Sequence, residues 1–124
     1  MQSAPRGVVT APADVDPAML AFVKCHVTSF AKWDVLRVLA DRAGFWSSAD
    51  ELAIPLHHPV ARVRDTLDEL VVEGIIERMI ASGQPRFRLA PDEMSSIVVR
   101  RLIASASSSQ DLRLILVANI LNRG

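Results

Sequence analysis

Two prolines four residues apart, Pro55 and Pro59, constrain this chain more than any other feature. Proline has no amide hydrogen to give a helix interior, and its ring pushes the preceding residue toward extended backbone. Pro55 therefore predicts that a short helix, roughly Ala49 to Ala53, stops before Ile54. The same ring is favourable at the first position of a helix, so Pro59 predicts a second helix over 59–73. Ser48 and Glu51 have capping-box spacing at the start of the short helix. In the second helix Val60, Val63, Leu67, Leu70 and Val71 share one face, and Gly74 suits the left-handed residue that closes it. Only a few residues separate the two, so they form a helix pair joined by a tight turn.

A pair of strands follows. Ile75 to Ile80 is rich in branched residues, Ala81 to Pro85 has turn chemistry, and Arg86 to Leu89 alternates. Alternation puts Phe87 and Leu89 on one side of the hairpin and Arg86 and Arg88 on the other. Upstream, Asp16-Pro17 starts a helix with Met19, Leu20, Val23, Val27 and Phe30 on an apolar face, running to about Thr28 or Ser29. Ser29 or Phe30 starts the next, with a stripe of Trp33, Val35, Leu36, Val38, Leu39 and Ala43, ended by Gly44. Downstream, Pro91-Asp92 opens a helix carrying Met94, Ile97, Val98, Leu102 and Ile103, broken at Ser105 and Ser107 to Ser109. Asp111 to Asn122 forms a last helix that is apolar nearly all round and should be enclosed by more than one neighbour. Residues 1–15, rich in Pro and Ala and without periodicity, read as a flexible arm.

The length of 124 residues suits one domain, here 16–124, and half of the chain is apolar. With four Phe, two Trp and no Tyr, aliphatic side chains must fill the core. Fourteen basic residues balance fourteen acidic ones, which argues against a non-specific nucleic-acid binder. A site-specific binder stays open, because the placement of charge decides that. The single Cys25 cannot form an internal disulfide, and no signal sequence or bilayer-length apolar run is present. The expectation is a soluble cytoplasmic protein.

Helix, short helix, tight turn, helix, hairpin, helix is the order of a winged helix-turn-helix. The stretch LVVEGIIERMIASGQPRFRL, Leu70 to Leu89, resembles the join between recognition helix and wing in MarR-like and ArsR-like bacterial regulators. The resemblance rests on Glu73, Gly74, Ile75, Ile76, Glu77, Arg78 and Gly83 and covers about Ala31 to Pro91, so the core spans 31–91. It implies a mainly α fold with a small β-hairpin, flanked by extra N- and C-terminal helices at 16–30 and 92–124. It implies a DNA-binding transcriptional regulator, with the recognition helix 59–73 in the major groove and the wing 75–90 on the backbone. The chain departs from the pattern in its uncharged wing tip and in the acidic far half of the recognition helix, Asp65, Asp68, Glu69 and Glu73.

With Val60, Val63 and Leu67 turned inward, the leading half of that helix presents His57, His58, Ala61, Arg62, Arg64 and Asp65. Arg62 and Arg64 can reach guanine edges or phosphates, and His58 a phosphate. Arg86 and Arg88 would meet the DNA backbone or minor groove, so four arginines would converge on one duplex. The plainer alternative is a solvated helix face with an Arg64–Asp68 ion pair, and a protein-interaction module that never touches DNA. Cys25, His26, His57 and His58 match no closed metal-ligand spacing, and no catalytic grouping is apparent, so neither cofactor nor enzyme is expected. The terminal helices carry the largest apolar excess, from which a homodimer through 16–30 and 92–122 is expected on double-stranded DNA.

Overall fold

The computed structural model describes residues 17–42, 44–90 and 94–123. The expected arm at 1–15, the helix starts at Asp16 and Pro91-Asp92, and Ala43 lie outside the described residues. The described chain is mainly helical, with a small antiparallel sheet: α1 Pro17–His26, α2 Phe30–Asp41, α3 Ala49–Leu56, α4 Val60–Val72, β1 Glu77–Ala81, β2 Gln84–Arg88, α5 Met94–Ser108 and α6 Gln110–Arg123. No helix among the described residues is long and apolar enough to cross a membrane.

One mainly aliphatic core, which also takes in Phe22 and Phe87, runs through the fold, from Met19 and Val23 of α1 and the following Val27 to Leu112, Leu116 and Ile120 of α6. The apolar stripe of α1 is therefore covered within the chain, by α5 and α6. Asn119 of α6 secures this layer, its Nδ2 donating to the carbonyls of Val23 and Val27 at 2.9 Å each. The Val27 carbonyl lies beyond the last turn of α1, where no helical amide remains to reach it.

Ser29 caps α2 by accepting from the Lys32 amide, and α3 carries the expected capping box between Ser48 and Glu51. The end of α3 differs from expectation. The helix continues through Pro55 to Leu56. Pro55 sits in the last turn, where its missing hydrogen removes a single hydrogen bond, and His57 then ends the helix in left-handed backbone (φ 59°). Pro59 is the N-cap rather than the first helical residue of α4. The expected stop at Gly74 is a Schellman motif: Ile75 N–H donates to Leu70 O and Gly74 N–H to Val71 O, each at 3.0 Å.

The hairpin turn is shorter than the sequence suggested, only Ser82-Gly83, both with positive φ. Such a two-residue turn matches the right-handed twist of the strands. Ala81 and Gln84 close it, so Ile80 and Pro85 form the next, non-hydrogen-bonded pair, and Pro85 costs the ladder nothing. On the other edge of β2, Ser47 exchanges two hydrogen bonds with Phe87 (2.8 and 2.9 Å), tying the segment before α3 to the hairpin. Of the serines expected to break α5, Ser105, Ser107 and Ser108 do not, and Ser109 does. Ser107 and Ser108 return their hydroxyls to the Ile103 and Ser105 carbonyls, and the break falls at Ser109, which caps α6 through Leu112 N–H.

Candidate nucleic-acid interface

The surface expected to meet nucleic acid is built by α3, α4 and the hairpin. Val63, Thr66, Leu67 and Leu70 are the buried side of α4. Thr66 was not foreseen there; its hydroxyl donates to Arg62 O at 2.9 Å, so it enters the core with its hydrogen bond satisfied inside the helix. Ala61, Arg62, Arg64, Asp65, Asp68 and Glu69 are exposed. The side chains of Arg62 and Arg64 form no hydrogen bond or ion pair among the described residues, and the Arg64–Asp68 pair is not formed.

The two arginines serve opposite flanks, as residues two apart on a helix must. Arg64 lines a cleft with Ser48, Ala49 and Asp50 at the start of α3 and Gln84 and Pro85 of β2. Arg62 lines a groove on the far side with Ser29, Phe30, His58, Pro59 and Ile120. His57 is exposed at the end of α3. His58 is partly buried, with Nε2 at 3.2 Å from Asp34 Oδ2, so that its imidazole fastens the inter-helix turn to α2.

The hairpin arginines do lie together on one face, but carboxylates hold them. Arg86 reaches Glu51 Oε1 at 3.3 Å. Arg88 Nε donates to Glu77 Oε1 at 2.9 Å and its Nη1 to the Gly44 carbonyl, while the guanidinium covers the Trp46 ring at 4.4 Å. Glu77 and Arg88 are direct cross-strand partners. The four cations therefore do not converge as free groups: Arg64 is open beside the hairpin, Arg62 is open on the other flank, and Arg86 and Arg88 brace the hairpin against α3 and its own first strand.

Glu51 carries the one resolved titration shift among these groups. Its carboxyl is held below the ordinary 4.5, first by the Ser48 amide it accepts from and then by the charges of Arg86 and Arg42. Sequence reading used Arg78 only for its resemblance; it is exposed on β1, opposite Phe87, and its side chain makes no ion pair among the described residues. Sequence reading also missed a cluster behind α4. Glu73, at its C-terminal cap, receives Lys32 Nζ at 2.6 Å and His26 Nδ1 at 2.9 Å. Only the clash of Glu73 with the negative end of its own helix signalled a cation nearby.

Cys25 is exposed, and among the described residues no group of three or more His, Cys, Asp or Glu side chains could hold a metal ion. No known family model matches the chain, and no curated protein matches it.

Proposed function

We propose that the chain is a winged helix-turn-helix protein that binds double-stranded DNA as a transcriptional regulator, with α4 in the major groove and the hairpin as its wing. The observation that carries this reading is the open leading half of α4, where two guanidinium groups stand exposed and, among the described residues, unpaired although three carboxylates share the helix. A free guanidinium offers a planar fork of donors matched to guanine O6 and N7 or to phosphate oxygens. The order of α2, α3, α4 and the hairpin, with Ser47 bridged to β2, supports the winged plan. In this reading Arg86 and Arg88 hold the wing in place, and the contacts to DNA fall to Arg62, Arg64 and the exposed Arg78.

The test is fluorescence anisotropy with random-sequence duplex DNA at low and high salt. Binding is expected at low salt and should weaken as salt rises, because bound phosphates release counterions. Replacing Arg62 and Arg64 by Ala should abolish it while leaving the far-ultraviolet circular dichroism unchanged. Absence of binding at low salt overturns the DNA reading.

A second reading, a winged-helix module that recognises a protein, is favoured by one observation. Asp65, Asp68 and Glu69 make the far half of the exposed α4 face acidic, and the paired hairpin arginines do not offset them. A basic protein surface suits that half better than a phosphate backbone does. This reading predicts that the Arg62 and Arg64 replacements leave partner binding intact, while Asp68→Asn and Glu69→Gln weaken it.

A further inference from the structure

The exposed side of α4 has a crest as well as two flanks. Val63, Thr66, Leu67 and Leu70 fix its buried side. At about 100° per residue, Ala61, Asp65 and Asp68 stand opposite them, with Arg64 on one flank and Arg62 and Glu69 on the other. A helix lying in the major groove turns its crest toward the base edges and its flanks toward the phosphates. The group at the centre of the crest is therefore a carboxylate and not a guanidinium. Asp65 is exposed and forms no hydrogen bond or ion pair among the described residues, although Arg62 lines the same groove.

An ionised carboxylate only accepts hydrogen bonds, so phosphate repels it and a base edge attracts it only by offering a donor. The major groove has two kinds of donor, the N4 amine of cytosine and the N6 amine of adenine. Adenine sets its N7 acceptor beside N6, which opposes a carboxylate oxygen. Cytosine has a C–H there, and its guanine partner offers O6 and N7 to a neighbouring guanidinium. An aspartate beside an arginine thus complements a single C·G pair. Asparagine and glutamine, whose amides match adenine, are absent from α4. Ala61, one turn earlier on the crest, can meet a thymine methyl, so the selection belongs to the Asp65 position.

We propose that Asp65 selects a C·G base pair in the major groove by accepting a hydrogen bond from cytosine N4. This role rests on the DNA reading of α4 and makes its acidic crest a source of specificity. The carboxylate weakens binding to arbitrary duplex, and the loss is recovered only where the cytosine amine is met.

Competition against a fluorescent random-sequence duplex at low salt tests it, with alternating dG-dC, dI-dC and dA-dT duplexes as competitors. Inosine keeps O6 and N7 but lacks the minor-groove amine, so the dI-dC duplex shares its major groove with dG-dC and its minor groove with dA-dT. The dG-dC and dI-dC duplexes are expected to compete about tenfold better than dA-dT. Asp65→Asn, with unchanged circular dichroism, should bind the random duplex more tightly, and its preference should fall about threefold or more. Equal competition by all three duplexes, grouping of dI-dC with dA-dT, or a preference undiminished in Asp65→Asn overturns the role of Asp65 and leaves the DNA reading standing. Failure of the labelled duplex to bind at all overturns both.

Discussion

One carboxylate, Glu73, gathers the Lys32 ammonium and the His26 imidazole from two other helices, and its loss would be felt unequally by them. Lys32 is the more enclosed, its side chain 7% exposed, and Glu73 is its counter-charge. Breaking a buried pair from one side strands the remaining charge, whereas removing both ends can be nearly neutral. Glu73→Gln is therefore expected to cost about 3 kcal/mol, and Lys32→Met in the same background to recover most of it, as read by urea denaturation. Glu51 shows the other use of a carboxylate, at the surface. Its folded-state pKa lies below 4.5, so its ionisation favours the folded chain above that value, and the benefit is lost as pH falls through the lowered pKa. The Tm advantage of wild type over Glu51→Gln should be full at pH 7 and fade below about 4.5. None of these long-range pairs was legible in the sequence. Arg64 and Asp68 are four apart and were readable as a pair, yet Glu73 pairs with Lys32 and Glu51 with Arg86, residues 41 and 35 positions apart. Only the packed fold brings them together.

Elements were legible wherever a periodic stripe met a specific stop. The stripe of α4 and its Gly74 closure, the Ser48 capping box and the alternation of Arg86 to Leu89 each combine two local signals, and each element formed within a few residues of its expected place. Pro55 misled because proline is disruptive in a helix interior and tolerable in a last turn, a distinction that rests on where the helix ends. That end is His57, a residue whose left-handed backbone gives less warning than glycine would. The turn at Ser82-Gly83 was legible as chemistry but not as length. It also has room for improvement, because Ser82 holds a positive φ (54°) that asparagine tolerates better. Ser82→Asn is expected to raise stability by about 0.5 kcal/mol without altering the register, measured by thermal unfolding and by amide exchange along β1 and β2.

For the molecule as a whole, zero net charge conceals an uneven distribution of paired and open cations, and that distribution sets how steeply DNA binding should depend on salt. If only Arg62 and Arg64 neutralise phosphates, log K should fall against log salt with a slope of about −1.8 per chain. A third contact from Arg78 would steepen it by about 0.9. The reserve lies in Arg88, whose Nε is held by Glu77 Oε1 across the strand pair. Neutralising that carboxylate by Glu77→Gln removes a repulsive charge from the wing and loosens the arginine, while the Trp46 ring and the Gly44 carbonyl still position it. Under the DNA reading the variant should therefore bind duplex DNA more tightly at low salt and show a steeper slope, by about one further phosphate. Under the protein reading the duplex should be ignored by both forms. A Glu77→Gln variant that binds DNA no better than wild type, with an unchanged slope, would mean that the hairpin faces away from the duplex and that α4 meets its partner alone.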